Sequence, residues 1–453
     1  IQKLLNIKRN IDENGNEQYT YSLSLVGCND KFNIKNYKII LIDEASMVCS
    51  NVLNALKKSA RLYRMKIIFI GDRNQLPPVN EQISSVFEMD YGENMIKLDK
   101  IERFKNDILK YTYSIKNGKK PILSQLCKND VMFCKDYKKW IEHYIQNISH
   151  SVILSYTNNK KRSINNYVRS ILFPKNKNKY NLEERIVFNN YYSTSENRFH
   201  SSQHAVIKDI ETITYKFNPI PLGKLLNLKA TLNLNLKKVE VKNKTCPICL
   251  EEDINEMSQT KCEHLFCDSC IKLWIKENRC CPLCRFEISG DTIKIKDNTK
   301  ITHIINEIIQ KVSDVQLKTW KIKIQAEKKN EEQKIELFTD YIYVISDESS
   351  EEYNKLCSYI KQKYYDIKKL ISVKNSYNSI ILRRLWEFFY NNYVDVLADI
   401  DYGYCITVHK SQGSSYRKVY IYIQDIIKNN KTDKKNCVYT AITRASEMLV
   451  IIK

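Results

Sequence analysis

The sequence predicts an α/β protein with parallel sheets, a smaller β domain and a zinc-binding module. Residues 39–42 and 65–70 are short apolar runs rich in β-branched residues, and residues 50–62 between them have a helical pattern. Such runs are typical of parallel strands that are buried on both faces. Eight of the 15 cysteines fall between residues 246 and 284, which indicates a metal site.

Length and charge narrow the class of protein. The 453 residues are enough for several domains. An excess of 73 Lys and Arg over 52 Asp and Glu gives a net charge of +21, which usually faces a polyanion. The 30 tyrosines supply flat side chains on which bases can stack. The alternative is compositional drift, since Lys, Ile, Asn and Tyr are abundant throughout.

The apolar runs and the distribution of the cysteines indicate where in the cell the protein is expected. No apolar run approaches the roughly 18 to 20 residues of a membrane span, so we expect no membrane partner. The other seven cysteines are scattered singly along the chain. Scattered thiols beside one dense cluster favour an intracellular reducing compartment, cytoplasm or nucleus, over a disulfide framework.

Patterning places further elements around these features. Residues 10–25 alternate about an Asn-Gly-Asn turn and predict a hairpin. The other expected elements, in order, are helices within 106–147, a strand from 151, a basic helix at 160–172, short β segments at 182–241 and 318–345 that suggest a small barrel, and strands at 419–423 and 448–452.

The cysteine cluster has the spacing of zinc ligands. Two cysteines separated by two residues can bind one tetrahedral zinc from a tight turn, and eight ligands satisfy two ions. Cys280 is a spare thiol beside Cys281; the Cys-Pro-x-Cys pattern favours Cys281, although spacing alone leaves both open. The eight candidate ligands are Cys246, Cys249, Cys262, His264, Cys267, Cys270, Cys281 and Cys284.

This order and spacing resemble a RING finger of the C3HC4 type. The resemblance implies an interleaved arrangement, in which Cys246, Cys249, Cys267 and Cys270 bind one zinc and the other four ligands bind the second. It also implies a partner, since RING ubiquitin ligases hold a ubiquitin-conjugating enzyme and brace its ubiquitin through positions that match Ile248, Trp274, Pro282 and Arg285. The alternative is a zinc module that only binds partners or stabilises the fold.

Asp43 and Glu44 directly follow the first apolar run. At the carboxyl edge of a parallel sheet, such a pair can hold Mg²⁺ and activate a water. Alone, the pair is as typical of a helix N-terminus. Three later segments decide between these interpretations: residues 71–79 (Gly-Asp-Arg-Asn-Gln-Leu-Pro-Pro-Val), 407–414 (Thr-Val-His-Lys-Ser-Gln-Gly-Ser) and 439–445 (Tyr-Thr-Ala-Ile-Thr-Arg-Ala).

Taken with residues 42–46, these segments resemble motifs II, III, V and VI of superfamily 1B helicases, the RecD-like and Dda-like group with a UvrD-like C-terminal domain. The resemblance implies two RecA-like motor domains, the first incomplete, an SH3-like domain 2B and a RING finger inserted in it. The implied bounds are 1–148 for domain 1A with a hairpin 1B at 10–25, 149–181 and 346–453 for domain 2A, 182–345 for domain 2B, and 244–288 for the RING.

The resemblance also assigns residues. Asp43 would hold Mg²⁺, Glu44 would be the catalytic base, and Gln75 would sense the γ-phosphate of ATP. Arg103 and Arg444 would neutralise charge on the transferred phosphoryl group. The residues expected to couple the nucleotide to the nucleic acid are Thr407, His409, Lys410, Gln412 and Gly413.

The implied function is an ATP-dependent helicase that moves 5′ to 3′ on single-stranded DNA and carries a RING with ubiquitin-ligase activity. Its cofactors would be two Zn²⁺, and ATP with Mg²⁺. Two alternatives stay open: a RING ligase or zinc-binding adaptor whose inactive helicase core only docks on nucleic acid, and an RNA helicase.

A motor of this kind needs a Gly-x4-Gly-Lys-Ser/Thr loop whose backbone N–H groups and lysine cradle the phosphates. The nine glycines of this sequence form no such loop. In the family it lies upstream of the segment that residues 1–7 resemble, so we expect it before residue 1.

We therefore predict that residues 1–453 alone hydrolyse little ATP, because half of the phosphate-binding apparatus is not among them. Phosphate release, measured with and without single-stranded DNA, checks this. Robust turnover stimulated by DNA would contradict it.

Overall fold

The computed structural model describes residues 7–11, 17–21, 37–78, 80–98, 106–116, 130–174, 178–217, 245–251, 257–260, 262, 264–278, 280–287, 293–295, 299–312, 315–329, 334–370, 389–428 and 434–452. The strands are β1 (Ile7–Ile11), β2 (Glu17–Tyr21), β3 (Ile39–Ile42), β4 (Lys66–Phe69), β5 (Val131–Cys134), β6 (Ser151–Ser155), β7 (Arg185–Phe188), β8 (Tyr192–Ser193), β9 (Arg198–Phe199), β10 (His204–Lys216), β11 (Met257–Gln259), β12 (Leu265–Cys267), β13 (Ile293–Ile295), β14 (Gln316–Lys329), β15 (Ile335–Ile345), β16 (Ile400–Tyr402), β17 (Cys405–Thr407), β18 (Tyr416–Tyr422) and β19 (Ala445–Ile452).

The α-helices are α1 (Ser50–Tyr63), α2 (Asn106–Lys116), α3 (Tyr137–Gln146), α4 (Asn158–Leu172), α5 (Asp268–Asn278), α6 (Thr299–Val312), α7 (Asp347–Leu370), α8 (Val408–Ser411), α9 (Ile423–Ile427) and α10 (Lys434–Ile442). Short 3₁₀ turns lie at Ala45–Met47, Ser85–Glu88 and Gly92–Asn94, and a π-helical turn lies at Tyr390–Val394. Among the described helices, none combines the length and apolar character that a membrane crossing requires.

The chain divides into two compact units. The first contains Ile1–Ile210, Ile322–Ile342 and Ala398–Lys453, and the second contains Glu211–Lys321 and Tyr343–Leu397. All four segments that resemble helicase motifs belong to the first unit, and the cysteine cluster belongs to the second.

The core of the first unit is a parallel sheet in the order β17-β6-β18-β19-β5. All five residues of β6 are buried, because helices cover both faces. Val152 and Leu154 pack in one cluster with residues of α2 and α10. Ile153, which points the other way, packs with Trp140 of α3 and Ile164 of α4. The α/β class predicted from the sequence is confirmed.

Strands β3 and β4 form a second parallel sheet, as expected. The expectation that β3 is buried on both faces is wrong: Ile40 and Ile42 are buried, but Ile39 and Leu41 are 55% and 65% exposed. The buried face packs on Leu53 of α1 and its neighbours. In the described part of the chain, no element covers the opposite face of these two strands, so alternate side chains remain accessible.

The parallel five-stranded sheet begins earlier in the chain than the expected domain boundary at residues 148 and 149. Val131–Cys134 pairs with β19 as its edge strand. Helix α3 follows β5 and packs on this sheet, where Trp140 Nε1 donates to the carbonyl of Val450 in β19 at 3.5 Å. The sheet thus includes a strand from the range expected for domain 1A, and the expected domain bounds stay predictions.

An antiparallel β region surrounds the cysteine cluster in sequence. The sheet order is β15-β14-β10-β7-β16, and β7 pairs antiparallel with both β10 and β16. The cysteine cluster lies between β10 and β14, which are neighbours in this sheet. The SH3-like character of this region stays a prediction. Near the start of the chain, β1 and β2 pair antiparallel where the hairpin is expected, with β1 beginning at Ile7.

Gly71, just after β4, approaches the chain that follows β3. A Cβ built on it would lie 2.9 Å from the backbone nitrogen of Ala45, closer than real Cβ contacts allow. Ala45 N in turn donates to the Ile70 carbonyl at 2.9 Å. Only glycine therefore lets these two strand ends meet.

We predict that Gly71→Ala lowers the free energy of unfolding by about 1–3 kcal/mol, because the backbone must move to admit the methyl group. Urea unfolding measures it. Gly92→Asn is the matched control, since a Cβ there meets nothing within 4 Å and its φ of +49° suits Asn. Equal stability of both variants would contradict the close approach.

Candidate motor site and zinc centre

Asp43 and Glu44 lie where β3 ends. Glu44 has left-handed backbone angles, φ 51° and ψ 44°, which are uncommon for a residue with a side chain. Its backbone N–H donates to Asp43 Oδ1 at 2.8 Å. Strained backbone of this kind is concentrated at functional sites. The pair is thus held in a fixed turn at the carboxyl edge of the sheet, where carboxylates can bind Mg²⁺.

The loop after β4 is fixed by an internal turn. Asp72 Oδ1 accepts hydrogen bonds from the backbone and the side chain of Asn74, at 2.9 and 3.0 Å. Gln75 follows, and its Oε1 is buried without a hydrogen-bond partner among the described residues. The amide predicted to sense a phosphate therefore keeps a buried polar atom unsatisfied.

Leu76 joins three of the predicted motifs. Its backbone N–H donates to Thr440 Oγ1 at 2.9 Å, and its carbonyl accepts from Gln412 Nε2 at 3.1 Å. Its side chain is fully buried. The residue beside the predicted phosphate sensor is thus bound by side chains from the segments that resemble motifs V and VI.

Two further bonds tie the same loop to α10. The Tyr439 hydroxyl donates to Asp72 Oδ2 at 2.7 Å, and Asn436 Nδ2 donates to the Gln75 carbonyl at 2.9 Å. Burial, reinforced by the Asp72 carboxylate, raises the pKa of Tyr439, so its hydroxyl stays a donor over the physiological range. The sequence pattern assigned no role to Tyr439, Asn436 or Asp72; the signal was their position within or beside motifs already recognised.

Gly413 brings the motif V segment to the acid pair. Its φ of +77° favours glycine, and a Cβ built on it would lie 3.9 Å from both Cγ and Oε1 of Glu44. Gln412 Nε2 also lies 3.5 Å from Ser46 Oγ. The structure therefore brings Glu44, Gln75, Gln412 and Gly413 into one neighbourhood, as a nucleotide site would require.

One of the two predicted arginines, Arg444, lies among backbone carbonyls. Arg444 is fully buried and donates to the carbonyls of Thr440 and Ser414, both at 3.1 Å, and to Thr443 Oγ1 at 3.2 Å. Its guanidinium thus fastens the motif V segment to α10. Arg103 lies outside the described residues. The catalytic roles of both stay predictions.

The remaining motif V residues contact a different group of side chains. Thr407 caps α8 through Lys410 N at 3.4 Å, and the His409 ring packs on Tyr156 with centroids 5.5 Å apart. The Lys410 ammonium donates to Asn189 Oδ1. Burial lowers the pKa of Lys410, and nearby Lys161 acts in the same direction. Sequence reasoning missed Asn189, because nothing in its local pattern distinguishes it.

The eight zinc ligands assemble into two groups of four. One contains Cys246, Cys249, Cys267 and Cys270, and the other contains Cys262, His264, Cys281 and Cys284, with the candidate ligand atoms of each group within 4.8 Å of one another. The grouping is the interleaved one that the RING resemblance implies. Cys281, and not Cys280, joins the second group.

The distances within these groups fit zinc. A tetrahedral ion with bonds of about 2.3 Å to sulfur and about 2.0 Å to nitrogen holds two sulfurs about 3.8 Å apart and nitrogen about 3.5 Å from sulfur. Cys249 Sγ lies 3.9 Å from Cys267 Sγ. His264 Nδ1 lies 3.5 Å from Cys262 Sγ and 3.6 Å from Cys281 Sγ. When bound, the two ions supply structural cross-links.

The first and last cysteine pairs form matching turns. The N–H of Leu250 donates to the Cys246 carbonyl at 2.8 Å, and the N–H of Arg285 donates to the Cys281 carbonyl at 2.9 Å. Leu250 and Arg285, each directly after the second cysteine of its pair, have φ of 60° and 54°. Each turn thus presents two thiolates to one side, which is what a shared metal needs.

The positions matched to conjugating-enzyme contacts lie on the accessible part of this module. Ile248, Trp274 and Pro282 are partly exposed, and Arg285 is exposed. The Trp274 indole N–H donates to the Cys280 carbonyl at 2.9 Å, which orients the ring. Leu283, beside Pro282, is 54% exposed. Their partner contacts stay predictions.

Three models of known families match the chain. They are an AAA domain at residues 2–136, a UvrD-like helicase C-terminal domain at 402–452 and a C3HC4 zinc finger, or RING finger, at 246–284. The chain therefore contains segments that match an AAA domain and a UvrD-like helicase C-terminal domain, together with a RING finger. The first two matches contain the motor segments whose contacts are described above, and the third begins and ends at zinc ligands.

Curated relatives match this chain over different extents. An uncharacterised protein of Acanthamoeba polyphaga mimivirus is 26% identical over 91% of this chain and 74% of its own length. The RecBCD enzyme subunit RecD of Buchnera aphidicola is 26% identical over 93% of this chain but only 55% of its own length. The E3 ubiquitin-protein ligase RNFT1 of Danio rerio is 39% identical over 13% of this chain and 14% of its own.

Among solved structures, Bacteroides Pif1 bound to single-stranded DNA aligns with 99% of this chain and 78% of its own, at 11% identity and a TM-score of 0.37. The Pif1 helicase of Candida albicans aligns over 92% of this chain and 72% of its own chain, at 12% identity and a TM-score of 0.35. Neither likeness is close enough to transfer a function.

We predict that Cys281→Ser reduces the zinc content from two ions per chain towards one, whereas Cys280→Ser leaves it at two. Cys281 belongs to the second ligand group and its neighbour Cys280 does not. Zinc per chain, measured by elemental mass spectrometry, checks this. Loss of zinc from both variants alike would contradict the assignment of Cys281.

Proposed function

We propose that this helicase core acts as an ATP-driven motor that moves 5′ to 3′ on single-stranded DNA. The observation that carries the proposal is the double attachment of Leu76, which links the loop of the predicted phosphate sensor to the segments of motifs V and VI. A motor of this class must transmit the state of the nucleotide to the residues that grip the strand. The contacts of Leu76 provide such a link.

The side chains near Leu76 have the chemistry that phosphoryl transfer needs. Asp43 would hold Mg²⁺ and Glu44 would orient or deprotonate the attacking water, while a cation such as Arg444 would offset developing negative charge. The excess of basic residues supports a nucleic-acid partner, since neutralising phosphates releases counterions and strengthens binding.

We predict that Glu44→Gln lowers strand displacement by about a hundredfold or more, because a general base contributes about that much. The measurement uses the protein that the whole reading frame encodes, on DNA duplexes with a 5′ or a 3′ single-stranded tail. Glu93→Gln, the same change at an exposed position, is the control.

Displacement only from the 5′ tail supports the proposed direction. A preference for RNA duplexes would favour the RNA-helicase alternative. Unchanged displacement by the Glu44 variant would refute its role as base.

A second function is proposed for the RING, on the separate observation that its two ligand groups fit zinc and its apolar side chains at 248, 274 and 282 are accessible. It would bind a ubiquitin-conjugating enzyme and promote transfer of ubiquitin. Small modules of this kind take much of their folding energy from the metal. Because fewer apolar side chains are then needed in a core, some can lie at the surface and contact a partner.

We predict that Ile248→Ala abolishes autoubiquitination in a reconstituted assay while the zinc content stays at two ions per chain, because the change removes partner contact and no ligand. Leu273→Ala is the matched control, as Leu273 is 66% exposed on α5 beside Trp274. If the Ile248 variant kept full ligase activity, the proposed docking surface would be wrong.

A further inference from the structure

A cavity of about 220 Å³ lies in the first unit, between the loop after β4 and the first turn of α10. Its walls include Arg73 and Asn74 from the loop, Lys116 from the last turn of α2, and Lys435, Asn436 and Tyr439 from α10. None of the candidate site residues named from the sequence lines it.

The lining is strongly cationic. Three of its side chains, those of Arg73, Lys116 and Lys435, carry positive charge, and no acidic side chain lines the cavity. Within the part of the chain that the structure describes, these three cations have no ion-pair or hydrogen-bond partner. Cations that line one cavity repel one another, so an anion bound among them would stabilise the arrangement.

The acidic side chain of the loop after β4, that of Asp72, is already hydrogen-bonded. Asp72 does not line the cavity, and its two carboxylate oxygens accept from Tyr439, Asn74 N and Asn74 Nδ2. The Asn436 amide is likewise engaged with the Gln75 carbonyl. The charged donors left for a ligand are therefore the side chains of the three cations, and the amide of Gln82, which also lines the cavity, is a neutral donor beside them.

Size and charge together select the ligand. The cavity is smaller than the roughly 300–1,000 Å³ of pockets that hold drug-sized molecules, and a guanidinium beside two ammonium groups suits a compact, multiply charged oxyanion. We propose that this cavity binds a phosphate group, supplied either by the nucleic-acid backbone or by free inorganic phosphate.

The walls give such a ligand a route to the motor. Asn436, one turn from Tyr439 on the same helix, holds the carbonyl of Gln75, and Tyr439 holds Asp72 in the loop that leads to it. A phosphate bridging Lys435 of α10 and Arg73 of the loop would add a further tie to those that already join these two elements. The cavity would therefore stabilise the arrangement in which the predicted phosphate sensor is held.

The test compares the double variant Lys116→Gln, Lys435→Gln with the double variant Lys110→Gln, Lys428→Gln. Lys110 lies on α2 and Lys428 follows α9; neither lines the cavity, so the control removes the same net charge. Calorimetric titration with inorganic phosphate is one arm, and oligothymidylate binding across a range of salt concentrations is the other. Both variants change accessible lysines and should remain folded, which thermal unfolding verifies.

The proposal expects the cavity variant, and not the control, to lose binding by about tenfold or more in at least one arm. If the ligand is a backbone phosphate, the slope of log affinity against log salt also flattens by about 0.7. Loss in the phosphate arm alone identifies free phosphate.

The nucleic-acid arm rests on the proposed function, whereas the inorganic-phosphate arm does not. A wild-type chain that fails to bind oligothymidylate but binds phosphate through the cavity would count against the motor and for the cavity. Equal behaviour of the two double variants in both arms, or no binding of either probe by the wild type, would overturn the proposal.

Discussion

The motor region depends on one residue whose two backbone polar atoms are both bound by side chains from distant parts of the sequence. Leu76 donates to Thr440 and accepts from Gln412, and its apolar side chain is buried in the core of the parallel sheet. A buried peptide group that loses a partner costs about 1–3 kcal/mol. The loop before it cannot shift without breaking one of these bonds, so Gln75 and Asp72 inherit their positions from it.

The RING segment, in contrast, has only a small hydrophobic core. Its buried cluster consists of Phe266 and Ile271 together with three zinc ligands, Cys246, Cys267 and Cys281. Paired turns at Cys246 and Cys281 aim thiolates inward, while larger apolar side chains remain outside. Metal bonds thus replace the packing that a domain of this size lacks.

Local patterns predicted those parts whose physics is local. The apolar runs of β3 and β6 predicted parallel strands, and the cysteine spacing predicted zinc ligands, because both depend on neighbouring residues. The interleaved grouping of those ligands is not local, and only the resemblance to a RING finger implied it. Burial of β3 on both faces was wrong, since it depends on what covers the sheet. The bond between Tyr439 and Asp72 and the attachment of Lys410 to Asn189 join residues hundreds of positions apart, which no spacing rule reveals.

The place of the RING in the sequence has a topological consequence. The segment that contains it leaves after β10 and returns before β14, which are neighbours in one sheet, and Phe217 N donates to the Val315 carbonyl at 3.2 Å between its two ends. Because the two ends of this inserted segment already lie next to each other, its insertion adds little loop-closure entropy to the cost of folding the host sheet. A lineage could thus gain, lose or exchange such a module in one recombination event and leave the strand order of its host intact.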